Sequence, residues 1–166
     1  MKILLFLCAL AGSFFLFNSC EPVYELPPQL APVKPPNPQV KTLWMNDLYT
    51  SNSDNWEILE GPGYNTVFDS KRHQNAKEIV FHTVIRTNKI MNACEVALYN
   101  HTEGKFVKNS NIITDKNSIT VQNRFSENLI NSFPKNKEIK IGLAIRSENE
   151  GENVSVTGSF LEIRYN

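Results

Sequence analysis

The segment "EIKIGLAIRS", residues 138–147, alternates with a period of two, and that period constrains the fold more than any other feature of the chain. Ile139, Ile141, Leu143 and Ile145 fall on one face, with Lys140, Gly142, Ala144 and Arg146 on the other. Successive side chains of a strand point to opposite faces, so this segment reads as a strand with one buried face. "KEIVFHTVIRT" sets Ile79, Phe81, Thr83 and Ile85 against Val80, His82, Val84 and Arg86. Both of its faces are fairly apolar, which points to a central strand. "CEVALYN" aligns Cys94, Val96 and Leu98, and "SITVQNRF" aligns Ile119, Val121 and Phe125. "NVSVTGSFLEIRY" alternates and then slips phase near Gly158-Ser159, where a glycine implies a bulge.

Turn signals separate these runs: "EGPGYN", "NHTEGK", "TDKNS", "FPKNKE" and "ENEGEN". Short strands at regular spacing, without long helical periodicity, predict an all-β antiparallel sandwich or barrel of about eight strands. A jelly roll is the first expectation and an immunoglobulin-like sandwich the second. One helical turn is expected over Ser126 to Phe133, N-capped by Ser126, stapled by Phe125 against Ile130 and stopped by Pro134. With 166 residues and 41% hydrophobic content, the chain has room for one such domain, placed at residues 41–166.

The amino terminus obeys a different rule. Met1-Lys2 is a short positive start, and Ile3 to Phe17 is apolar except for Gly12 and Ser13. That run is too short for a spanning helix, which needs roughly 20 residues, and suits the core of a signal peptide. The segment ends "LFNSC" at Cys20. This resembles a bacterial lipoprotein signal, with the small residue Ser19 just before the cysteine; Phe17 and Asn18 depart from the commonest form. The resemblance implies removal of residues 1–19 and a diacylglycerol thioether on Cys20, usually with a further acyl (palmitate-type) chain on its amino group. Two or three chains hold a protein at a membrane, where one holds it only marginally. Glu21 and Glu25 resemble lipoprotein sorting signals. The expected location is the cell envelope, at the outer membrane or cell surface in preference to the inner membrane.

Seven of the nine prolines lie between Pro22 and Pro38. Proline fixes φ and removes a backbone donor, so residues 20–40 form neither a helix nor a central strand. The composition predicts an extended polyproline II tether at about 3.1 Å per residue. Its position between anchor and domain favours a spacer over a PxxP ligand for another protein's groove.

The domain is similar in pattern to small jelly-roll domains of bacterial surface proteins and phage structural proteins. The stretches that carry the likeness are "VALYNHTEGKFV", Val96 to Val107, and "LINSFPKNKEIKIGLAIRSENEGENVSVTGSFLEI", residues 129–163. The likeness implies scaffold or binding work and no single chemistry.

The residues for catalysis are scattered. His73, His82 and His101 lack metal-ligand spacing, and no nucleophile elbow, P-loop or dinucleotide fingerprint occurs. "ENEGE", Glu148 to Glu152, reads as a solvated hairpin turn before a calcium site. The formal net charge is zero, so there is no basic stripe for nucleic acid. No cofactor or metal is expected. Of three cysteines, Cys8 falls in the signal, Cys20 carries lipid and Cys94 sits alone on an apolar strand face as a buried residue. Aromatic residues remain as candidates for ligand binding: Trp44, Trp56, Tyr64 and Tyr99, which are suited to stacking on sugar rings. Trp44 is expected to be exposed because Leu43 and Met45 take the opposite face. The expected function is a lipid-anchored, non-enzymatic β-sandwich that binds, adheres or assembles in the envelope, through an envelope protein or a glycan. The alternative is a surface glycan-binding lipoprotein; a hydrolase is the least favoured reading.

Overall fold

The computed structural model describes residues 39–45 and 47–165. The signal segment, Cys20 and all but the last residues of the tether lie outside the described residues. The described elements are β1 (Val40–Met45), β2 (Tyr49–Ser51), β3 (Glu57–Ile58), β4 (Asn65–Asp69), β5 (Ala76–Thr87), β6 (Cys94–Asn100), β7 (Lys105–Phe106), β8 (Ile112–Ile113), β9 (Gln122–Phe125), β10 (Glu138–Ser147) and β11 (Val154–Tyr165). Two short 3-10 turns, Ser70–His73 and Ile130–Ser132, precede β5 and β10.

The strands form two antiparallel sheets. One runs β1-β11-β5-β9, with β2 also on β11. The other runs β3-β10-β6-β7, with β4 also on β10 and β8 also on β6. Counting each doubled strand once gives eight positions among the described residues, and their pairing is nested. The first position pairs with the last (β1/β2 with β11), the second with the seventh (β3/β4 with β10), the third with the sixth (β5 with β9) and the fourth with the fifth (β6 with β7/β8). A long antiparallel ribbon wrapped around a core gives this order, which is a jelly roll. The immunoglobulin-like alternative is not the topology observed.

The alternation places the core as the sequence predicts. Ile139, Ile141, Leu143 and Ile145 are buried along β10, as are Phe81 and Ile85 on β5 and Leu161 and Ile163 on β11. β5 is central, between β11 and β9. The phase slip is a bulge: the β11–β5 register shifts between Thr157 and Phe160. Gly158 supplies the left-handed conformation there, with φ 56°. The bulge turns Ser159 inward, where its hydroxyl meets Thr83 Oγ1 at 2.8 Å.

Two local expectations fail. Only Gln122–Phe125 of the predicted "SITVQNRF" strand pairs, and Ile119, Val121 and Phe125 are exposed rather than core. Serine and threonine hydroxyls capture the preceding segment in a turn, with Ser118 Oγ accepting from Thr120 N–H at 3.3 Å. The helical turn is shorter than expected and lacks a side-chain cap. Ser126 instead accepts the Phe81 N–H at 3.0 Å, extending the β5 ladder past its edge strand. Phe125 faces solvent and staples nothing.

Cys94 is fully buried, and burial pushes its thiol pKa up to about 12. The thiolate that reacts with electrophiles is therefore scarce at neutral pH. Native protein should label with a maleimide only at the rate of unfolding, and urea should release full labelling. Fast labelling without denaturant would place Cys94 at the surface.

Candidate functional site

The outer face of the β1-β11-β5-β9 sheet carries a row of aromatic rings. Trp44 on β1 lies opposite Phe160 on β11, Phe160 opposite His82 on β5, and His82 opposite Phe125 on β9. Each residue has the outward phase of its strand, so cross-strand pairing alone brings the four rings into line. Ring centroids are 4.6 Å apart for Trp44–Phe160, 4.7 Å for Phe160–His82 and 5.9 Å for His82–Phe125. Phe160 and His82 stack within 5° of parallel. Three inter-strand steps make a row roughly 14 Å long, in which Phe160 and His82 turn their faces to one another and the end rings are tilted. Its ends are open: Trp44 is 57% exposed and Phe125 70%.

Rows of mixed polar and apolar residues flank it. On one side Glu162 lies between Thr42 and Val80, and beyond it Arg164 lies between Val40 and Glu78. Arg164 pairs with Glu162 and, at 2.6 Å, with Glu78. On the other side Thr157, Val84 and Asn123 follow in register. His82 Nε2 has no hydrogen-bond partner and lies 3.5 Å from Glu162 Oε2.

The remaining predicted aromatics lie elsewhere. Trp56, just before β3, packs on Phe106 at 5.1 Å, and Phe106 meets Tyr99 edge-on at 5.4 Å. These rings belong to the outer face of the second sheet. Its floor there is Gly142, Ala144 and Ala97, and such small residues leave room that the rings fill. His101 joins them: a Cβ at Gly142 would lie 2.4 Å from His101 Nε2. Arg146 sits over Trp56 at 5.0 Å and reaches both oxygens of the buried Glu95 carboxylate at 2.9 Å. Trp56 and Tyr99 thus roof a sheet. Tyr64 packs edge-on to Tyr49 at 5.8 Å beside the core, and its hydroxyl donates to the Leu48 carbonyl at 3.2 Å. The four residues named from sequence do not converge. Trp44 alone among them joins the open row, whose other members are Phe160, His82 and Phe125. The available signal was an aromatic ring at the outward phase of each strand.

A cleft of about 350 Å³ lies between the two 3-10 turns, lined by Phe68, His73, Gln74, Ile130, Phe133 and Asn136 among others. Phe68 and Phe133 beneath it are nearly fully buried, and its walls mix apolar side chains such as Ile130 and Pro134 with the amides of Gln74, Asn131 and Asn136. His73 stacks on Phe68 and hydrogen-bonds the Tyr165 hydroxyl. Among the described residues no three His, Cys, Asp or Glu side chains are grouped to hold a metal ion. Two carboxylates of the "ENEGE" turn are taken by lysines, Glu148 by Lys116 and Glu152 by Lys89.

Burial lowers the pKa of both His73 and His82 below the ordinary histidine value of 6.5, with Glu162 partly offsetting the effect at His82. The folded state then binds fewer protons than the unfolded state, so stability falls as pH drops through about 6.5 and levels off below the folded values. Urea midpoints should be lower at pH 5.5 than at 7.5, and a His73→Gln/His82→Gln double variant should flatten that slope. An unchanged slope in the double variant would assign the effect to other groups.

No protein-family model matches the chain, and no curated protein does. Among solved structures the chain is similar to the infectious bursal disease virus VP2 subviral particle, at 15% identity and TM-score 0.46, over 79% of this chain and 33% of that one. It is similar to the structure of the Gx strain of that virus at 16% identity and TM-score 0.47, again over 79% and 33%. It is similar to the T=1 particles derived from the virus at 14% identity and TM-score 0.44, over 87% of this chain and 36% of that one. The chain spans about a third of the length of these structures. The jelly-roll assignment rests on strand order, and nothing about function follows from the likeness.

Proposed function

We propose that this chain is a lipid-anchored, non-enzymatic binding module of a bacterial cell envelope. Residues 20–40 would tether the jelly roll to the membrane through lipid on Cys20. The observation that carries the binding half of this reading is the aromatic row, open at Trp44 and Phe125 across a whole sheet face. Aromatic residues set in an exposed line on a soluble domain lose the hydrophobic gain of burial, and such surfaces mark contact sites. The anchor half rests on "LFNSC" and on the proline-rich stretch after it.

The anchor is tested by intact-mass measurement of membrane-extracted protein beside a Cys20→Ala variant. The expected result is a chain beginning at Cys20 with added diacylglycerol and acyl mass, and a variant that leaves the membrane fraction as uncut precursor. A variant of mature size still at the membrane would overturn the anchor. The glycan alternative draws its support from Trp44 and the rings beside it, because Trp56, Tyr64 and Tyr99 are engaged in packing.

A further inference from the structure

We propose that the cleft between the two 3-10 turns is a binding site for a small organic acid, a monocarboxylate with a compact apolar body. The site is separate from the aromatic row and depends on neither the row nor the anchor. His73 and Lys135 hold the carboxylate, and Ile130 and Pro134 pack against the apolar body.

His73 marks the cleft as a site. It lines the opening and is only 6% exposed. Its ring lies on Phe68, with centroids 5.3 Å apart and planes within 22° of parallel. Burial keeps the imidazole neutral at pH 7. A neutral imidazole has one donor and one acceptor nitrogen. Nδ1 meets the Tyr165 hydroxyl, which has no other acceptor among the described residues, so the hydroxyl donates to Nδ1. Nε2 therefore carries the proton, and among the described residues no group accepts it. A buried polar group without a partner is unusual in a native fold, and a ligand acceptor in the cleft would satisfy this one.

The charge of the lining selects an anion. No Asp or Glu lines the cleft, whereas Lys135 does, and it has no carboxylate partner among the described residues. Asp69, adjacent in sequence to the lining, is held by Arg72 at 3.2 Å. Gln74 Nε2 donates to Asn136 Oδ1 at 2.9 Å, which leaves the Asn136 amide N–H groups free to donate. A carboxylate accepts from several donors at once, and its hydrogen bonds to a charged donor are about twice as strong as neutral ones. The apolar wall at Ile130 and Pro134 calls for more than an inorganic ion. Size sets the other limit. A volume of about 350 Å³ lies at the small end of the roughly 300–1,000 Å³ of ligand clefts, room for one ring or a short chain but not a polypeptide segment.

The test is an amide NMR titration of the full detergent-extracted chain with benzoate, phenylacetate and hexanoate, and with benzamide and sulfate as comparisons. At least one of the three acids should give saturable shifts at Gln74, Ile130, Asn131 and Lys135, with a dissociation constant on the order of millimolar, as suits so small a ligand. Benzamide lacks the charge and sulfate lacks the apolar body, so each should bind at least about tenfold more weakly. Lys135→Met should weaken the acid about tenfold, which is about 1.4 kcal/mol, and Lys135→Glu should abolish its binding. Both should keep the wild-type melting temperature, because Lys135 is exposed. His73→Phe keeps the stacked ring and removes the donor, so it should weaken binding. Tyr165→Phe breaks the same His73–Tyr165 bond and keeps Nε2, so it should bind as wild type does, which separates loss of the donor from loss of the bond. Absence of saturable shifts with all three acids would overturn the proposal. So would equal binding of benzamide or sulfate, or an unchanged affinity in Lys135→Glu. Equal affinities in His73→Phe and wild type would overturn the part assigned to His73.

Discussion

Replacing Phe81 by alanine should cost about 3–5 kcal/mol of folding stability, the range for deleting a fully buried aromatic ring. Phe81 is 0% exposed and lies mid-way along β5, the strand that both β11 and β9 pair with. Two terms add. The alanine variant has no ring to remove from water on folding, so the transfer gain is lost. The walls of the hole, held by ladders on both sides, also cannot collapse to fill it. Domains of this kind are stable by roughly 5–15 kcal/mol, so the variant would be marginal. A denaturant titration should show a lower midpoint with unchanged slope. A loss under about 1 kcal/mol would mean that the core relaxes around the hole, against the constraint inferred from the central position of β5.

The second large effect is expected at Asn92, where removal of one polar side chain strands several others. Asn92 is 0% exposed in the loop between β5 and β6. Its Nδ2 donates to Thr87 Oγ1 at 3.2 Å and to Ser147 Oγ at 3.0 Å, and its Oδ1 accepts the Asn149 N–H at 3.1 Å. It therefore ties the end of β5 to the end of β10. The neighbouring Met91 takes a left-handed conformation, φ 67°, with its N–H bonded to the Lys116 carbonyl at 2.8 Å and its carbonyl accepting from Asn149 Nδ2 at 3.3 Å. Asn92→Ala should cost about 3 kcal/mol, because each buried group left unpaired costs about 1–3 kcal/mol. Hydrogen exchange should quicken first at Met91 and Glu148, whose amides bond to Lys116 and Ala93 carbonyls across this end of the sandwich. Unchanged protection at those two amides, with stability lost, would show that Asn92 acts by packing rather than by joining the loops.

Much of the fold was readable residue by residue. The inward sets on β5, β6 and β10 follow from alternation, because a strand's two faces are decided by its own backbone. The bulge at Gly158 was readable because it breaks that alternation in place. β9 was misread because apolar spacing at Ile119, Val121 and Phe125 mimics a buried strand, whereas hydroxyls at Ser118 and Thr120 bend the chain before it can pair. The expected cap at Ser126 failed for a related reason: its hydroxyl had a stronger use, completing the hydrogen bonds of β5 at a buried position.

The candidate site divides in the same way. Trp44 could be placed at the surface from Leu43 and Met45 on either side of it. That Phe160, His82 and Phe125 stand beside it could not, because register between strands is a relation among segments far apart in sequence. Trp56 and Tyr99 looked equally available, yet the small residues Gly142, Ala144 and Ala97 on neighbouring strands left a hollow that they fill. Sequence by itself determined which segments are strands, which way their side chains face and that Cys94 is enclosed, all properties of one chain segment and its period of two. Tertiary structure alone decided which outward rings become neighbours and which are covered, because the nested pairing of a jelly roll sets the first strand against the last and aligns faces that no local pattern connects.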